Sequence, residues 1–159
     1  MAERKPLVIV NGQIQQIQAG DTLQGISNPA IVTLVNGNAN AIVIGSPVYA
    51  SAAGTVDLAQ ADDVNTSEVV GLVSDASVAN GANGSIQTGG ILTATTGQWD
   101  IITGETGGLV ANTVYFLDPS SEGKLTVNAP TTDGHLVSRI GKGLSTTQLE
   151  IAIQPPILL

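Results

Sequence analysis

The chain states one pattern twice. Val48-Tyr49 and Val114-Tyr115 each run into a turn that closes at a glycine, Gly54 in the first copy and Gly123 in the second. Two residues after that glycine stands an aliphatic (Val56; Leu125), and two further on another (Leu58; Val127). A polar loop, an apolar-Gly step (Val70-Gly71; Ile140-Gly141), a second loop and a last strand (around Ile86; around Leu149) complete each copy. Aliphatics spaced by two are the mark of strands that bury one face. The repetition predicts two related β units, about 45–88 and 112–153, packed into one barrel or sandwich.

The remaining chain agrees with an all-β class. Short apolar runs recur at intervals of roughly eight to twelve residues, punctuated by Gly, Asn and Pro, as in sandwiches and barrels. Residues 6–17, PLVIVNGQIQQI, read as two short strands around Asn11-Gly12, a dipeptide suited to the positive φ of a tight hairpin turn. Residues 1–29 then form an N-terminal arm and connector, 30–154 the β domain and 155–159 an apolar tail. Within the domain, 31–35 and 41–44 flank a five-residue loop and suggest a hairpin, and 57–70 has room for one helical turn. Asn80-Gly81 and Asn83-Gly84 mark turns, and 91–102 (ILTATTGQWDII) reads as strand with a break at Gly97. No stretch of about a dozen residues carries helical periodicity with caps.

Composition narrows the function classes. Charged residues are 11% and aromatics 3% of the 159, while hydrophobic residues are an ordinary 42%. So little charge leaves the surface to Ser, Thr, Asn, Gln and Gly, or hides part of it in subunit contacts. A net charge of −8 with five Lys and Arg speaks against nucleic-acid binding. The absence of cysteine excludes disulfides and thiolate metal sites. The first apolar run, Leu7 to Val10, is too short for a signal-peptide core or a membrane span, so no membrane partner is expected.

No constellation for catalysis or cofactor binding emerges. His135 is the single histidine, in a turn (Thr132-Asp133-Gly134-His135), and no Gly-x-Ser-x-Gly accompanies it. Asp57, Asp62, Asp63 and Glu68 are the densest acidic group but lack the calcium-loop pattern. Asp100 and Glu105 beside Trp99 are a conceivable acid/base pair for a cell-wall hydrolase, with few aromatics to stack a sugar. Gly141-Lys142-Gly143 lacks the rest of a phosphate-binding loop and reads as an interstrand loop. Tyr49 and Tyr115 fall at matching places and read as core or interface pieces. The tail Pro155-Pro156-Ile157-Leu158-Leu159 is different: prolines stop the strand, and three large aliphatics then stand at the chain end. Leaving each in water forgoes roughly 1.5–3 kcal/mol, which predicts a contact with the barrel or, preferably, with a neighbouring subunit.

The second-unit pattern of Val-Tyr, turn glycine, aliphatic, Ile-Gly and final strand resembles small structural proteins of tailed bacteriophages, as does GSPVYASAAGTVDLAQADD in the first unit. The opening KPLVIVNGQIQQIQAGDTL is similar to leaders of virion and tail-fibre proteins. The resemblance implies a virion protein made in the host cytoplasm: a capsid decoration (cement) protein, typically a homotrimer, on the outer shell and in contact with the major capsid protein. It brings no catalytic residues, cofactor or metal. Under it, Leu7, Val8, Ile9, Val10, Ile14, Ile17, Leu23, Ile157, Leu158 and Leu159 are the expected interface residues. A tail-fibre or baseplate module that binds a host glycan is the alternative, ahead of the hydrolase.

Overall fold

The computed structural model describes residues 7–10, 13–16 and 30–159. It is an all-β protein with a closed five-stranded barrel and one short helix. At the N-terminus, β1 (Leu7–Val10) and β2 (Gln13–Gln16) pair antiparallel with Ile9 opposite Ile14, as the Asn-Gly turn predicts. The two form a sheet by themselves. The side chains of this hairpin, together with Ile17 and Leu23, lie outside the described residues.

The barrel is built by β3 (Ile31–Asn36), β5 (Pro47–Ala52), β6 (Thr55–Leu58), β7 (Val69–Val73) and β9 (Asn83–Gln87), in the order β3-β6-β5-β7-β9. β9 returns antiparallel to β3, and a short parallel contact of β3 with β6 (Val35 with Thr55, Asn36 with Val56) closes the ring. Inside lie Ile42, Val48, Val56, Val73, Val78 and Ile86. The expected hairpin around residues 36–40 does not form. β3 is taken by β9 and β6, while the short β4 (Ile42–Val43) pairs with β8 (Ser77–Val78). Buried Asn36 explains the departure: its Nδ2 donates to the carbonyls of Asn40 and Val78, and its Oδ1 accepts from Asn38 N–H, which folds the loop back on itself. Asn83-Gly84 likewise is strand, within β9, and the turn sits at Gly81. Residues 57–70 hold turns and no helix.

The second half repeats this order without closing it. β10 (Gly90–Thr93), β11 (Val114–Leu117), β12 (Leu125–Thr126), β14 (Arg139–Gly143) and β15 (Gln148–Ile151) form an open sheet in the order β10-β15-β14-β11-β12. Strand for strand this matches β3-β9-β7-β5-β6, so each unit begins one strand earlier than the sequence repetition showed. The match extends to a defect in the ladder. Between β5 and β7 the register passes from Val48–Gly71 to Tyr49–Val69; between β11 and β14 it passes from Tyr115–Gly141 to Phe116–Arg139. Val70 and Ile140 are thus the extra residues of equivalent bulges. The structural partner of Tyr115 is therefore Val48, one residue off the Val-Tyr correspondence in the sequence. That is why Tyr115 is buried whereas Tyr49 is only half-buried.

The run 91–102 departs from the strand expectation. It is β10 followed by α1 (Thr96–Thr103). Thr95 caps the helix: its side chain accepts from Gln98 N–H, while the Gln98 side chain accepts from Thr95 N–H, and Gly104 ends the helix in the left-handed conformation. This capping box satisfies orphan donors at both positions and explains why a Thr- and Ile-rich run turns helical. Trp99 and Ile102, three apart, are fully buried. They pack against Gly45, whose φ of +85° and close approach to Trp99 and Ile102 leave no room for a side chain. From across the sheet, Lys124 Nζ donates to Ile101 O near the helix C-terminus at 2.6 Å. The helix fills the place that β3–β6 pairing occupies in the first unit. Its residues join Leu92, Leu109, Tyr115, Leu117, Leu125, Ile140 and Leu149 in the larger core, to which Ile44, Ala59, Ala61 and Leu72 of the first unit also contribute. A shared core makes the two units one domain.

Candidate interaction surface at the C-terminus

The tail is held by its backbone and open on its side chains. After β15 the chain stays beside β14, with Ala152 N–H donating to Ile140 O and Gln154 N–H to Arg139 O, both at 2.9 Å. Pro155 and Pro156 carry no N–H and interrupt this pairing. The chain then forms β16 (Ile157–Leu158), antiparallel to β13 (Leu136–Val137). Leu159 N–H donates to His135 O at 3.0 Å and Gly134 N–H to Leu159 O at 3.2 Å, so the last residue is also fixed. Yet Ile157 and Leu158 are each 66% exposed and Leu159 45%. Of the two expectations for these aliphatics, the barrel is not what holds them: β13 and the turn before it, in the second unit, hold their backbone without covering their side chains. Beside the tail runs an open groove of about 330 Å³ lined by Val69, Val70, Ile153, Pro155 and Pro156, with Glu68 and Gln154 as its polar part. The groove ends at Pro156, where β16 begins, so exposed apolar side chains follow the groove directly along the chain.

The other residues singled out from the sequence have structural work or stand in solvent. Half-buried His135 uses its carbonyl to pin Leu159. Asp57 Oδ1 accepts from Asn38 Nδ2 and from Leu58 N–H, and Asp63 Oδ1 accepts from the backbone and side chain of Asn65. Asp62 and Glu68 are exposed. Among the described residues no group of three His, Cys, Asp or Glu is placed to hold a metal. Asp100 Oδ1 accepts from Gly108 N–H at 2.6 Å and ties down the loop after α1, whereas Glu105 is exposed. Trp99 donates from Nε1 to Thr147 O at 3.0 Å inside the core, and the Tyr115 hydroxyl accepts from Val110 N–H at 2.8 Å. Neither offers a ring face to a sugar. Gly141-Lys142-Gly143 is not a loop but part of β14. Gly141 is pressed against the Glu150 carbonyl and Gly143 against that of Val110, and Lys142 stands opposite Glu150.

Charge is distributed unevenly along the chain. Arg4 and Lys5 precede β1, which leaves Lys124, Arg139 and Lys142 as the cations of the β domain. Lys124 is engaged with the end of α1, Lys142 faces Glu150, and Arg139 has its Nε buried. The exposed acids Asp62, Asp63, Glu68, Glu105, Glu122 and Asp133 outnumber these three cations, so the domain surface is anionic.

The sequence pointed to the tail through its composition, two prolines before three aliphatics. It gave no sign of the groove, because Val69–Val70 and Ile153–Pro156 meet only through the fold. Compared with known proteins, the chain matches no protein-family model and no curated protein.

Proposed function

We propose that this chain is a structural protein of a tailed-bacteriophage virion, a decoration protein that binds the outer capsid surface as a homotrimer and bridges neighbouring shell subunits. The carrying observation is the C-terminal strip: an ordered strand whose backbone is paired while Ile157, Leu158 and Leu159 remain open to a partner. Covering what is still exposed of each side chain is worth about 1–2 kcal/mol. A trimer multiplies that gain by three at every site it occupies. The mechanism is then additive: each copy buries apolar surface across a seam between shell subunits and raises the cost of opening that seam. The resemblance of both β units and of the leader to phage virion proteins supports the reading. So does a surface poor in charge and rich in small polar residues, suited to extensive symmetric contacts. No catalytic step, cofactor or metal enters this role.

The test is the solution mass of the purified full chain by light scattering after size exclusion, alone and with empty capsids of the phage that encodes it. A stable trimer that co-migrates with capsids is expected. A monomer that ignores capsids would overturn the proposal.

A further inference from the structure

We infer that the β1–β2 hairpin of one copy docks on the C-terminal strip of a second copy, as an added strand along β16 and the adjoining groove. The inference rests on the reading of the chain as a self-assembling structural protein, and it names which parts of two copies meet.

The acceptor has a free edge and an apolar face. Among the described residues β16 has β13 as its one strand partner, so its other edge offers backbone donors and acceptors to a further strand. Ile157 and Leu158 place one exposed aliphatic on each face of β16, and the Val69–Val70 and Pro155–Pro156 walls of the groove add apolar surface just before it in the chain. Strand addition to such an edge combines main-chain hydrogen bonds with pockets for alternate side chains.

The donor has the complementary needs. β1 is Leu7-Val8-Ile9-Val10, aliphatic at every position. Because successive residues of a strand belong to opposite faces, both of its faces are apolar and both call for cover. β1 and β2 nonetheless form a two-stranded sheet of their own. A lone hairpin is marginal in water and gains stability from a third strand or a packed layer. Within one chain the two open sheets, β1–β2 and β13–β16, are not joined to each other. A second copy supplies the missing neighbour to both.

Charge favours the same pairing. Arg4 and Lys5 directly precede β1. The acceptor strip is flanked by Glu68 in the groove and by exposed Asp133, next to the Gly134 that binds Leu159. A cationic arm thus meets an anionic rim on a domain that carries only three cations of its own. Hairpin-to-tail contact is heterologous, and a heterologous contact repeated by rotation closes a ring, which is how a cyclic trimer would arise.

The absence of cysteine permits a clean test with full-length protein. Val8→Cys and Leu158→Cys proteins are mixed, oxidised mildly and run on a non-reducing gel, with Val8→Cys plus Ile101→Cys as the control for random encounters at an exposed site. A disulfide-linked heterodimer in excess of the control is expected. No excess would overturn the inference, as would an internal disulfide at monomer mobility in the Val8→Cys/Leu158→Cys double variant. As a second measurement, Arg4→Glu/Lys5→Glu weakens self-association by roughly tenfold at low salt, and Glu68→Lys restores part of it. Unchanged association in the charge-reversed protein counts against the docking. Capsid binding is scored separately. Cross-linked rings that ignore capsids would remove the decoration role and keep the arm exchange, while capsid binding without cross-linking would do the reverse.

Discussion

Gly71 and Gly141 stand at equivalent places in the two units, and alanine at either one tests the duplication energetically. A Cβ at Gly71 would sit 2.6 Å from the Gln87 carbonyl oxygen and 2.7 Å from Ile86 Cγ2. A Cβ at Gly141 would press on the Glu150 carbonyl and on Leu149 in the same way. In each case the obstacle is the backbone of the next strand, β9 or β15, so it cannot swing aside as a side chain would. Relief requires β7 to part from β9, or β14 from β15, next to the residue (Val70 or Ile140) that already bulges away from the strand on the other side. Overpacking of this kind costs about 1–3 kcal/mol. With a urea m-value of about 2 kcal/mol per molar, a loss of about 2 kcal/mol lowers the unfolding midpoint by roughly 1 M. Gly97→Ala provides the control: the same methyl group meets nothing within 4 Å and lies inside α1, where alanine is favoured over glycine by up to about 1 kcal/mol. Equilibrium urea unfolding followed by Trp99 fluorescence should therefore move two variants down and one up. If Gly71→Ala and Gly141→Ala both stay within about 0.5 kcal/mol of the parent, the close strand approach is not real and the equivalence fails.

Four further outcomes are expected. Thr95→Ala removes the capping box of α1 and lowers stability by about 0.5–2 kcal/mol in the same unfolding assay. Tyr115→Phe strips the acceptor from Val110 N–H inside the larger core and costs about 1–2 kcal/mol by urea unfolding, whereas Tyr49→Phe costs less than half as much. Asn36→Ala leaves the carbonyls of Asn40 and Val78 without their side-chain donor. It lowers thermal stability by several degrees, read by circular dichroism, for a loss of about 2 kcal/mol. Leu158→Asp changes monomer stability by less than about 0.5 kcal/mol, because the side chain is exposed, yet weakens self-association measured by sedimentation.

The alternation of Val56 with Leu58 and of Leu125 with Val127, set off by Gly54 and Gly123, carried the class and the repetition into plain view. That information is local. A strand with one buried face writes its period of two into its own residues, and a tight turn writes its need for positive φ into a glycine. The Thr95–Gln98 capping box was local as well and legible in principle, but the β-branched residues around it outweighed a two-residue signal. The tail was legible in part: two prolines and three aliphatics state that pairing breaks off and that apolar surface remains, but not that the chain pairs again, with β13, as β16.

Partner choice was decided by the tertiary structure alone. Nothing within 31–44 says that β3 goes to β9 and β6 rather than to β4, since backbone donors and acceptors are the same in every strand. The selection falls to distant groups such as Val78 O, which Asn36 reaches across the fold. The one-residue slip between Val48 and Tyr115 belongs here too, because a bulge shifts register without changing the composition of the strand that faces it. So does closure: the same strand order becomes a ring where β3 meets β6 and stays open where α1 fills the gap. The sequence by itself determined that two β units would form and that the tail would carry apolar side chains past the last long strand, because those are properties of single segments. Which edges close, and which stay open, depends on how the segments meet, because hydrogen-bond partners and shared cores are properties of pairs.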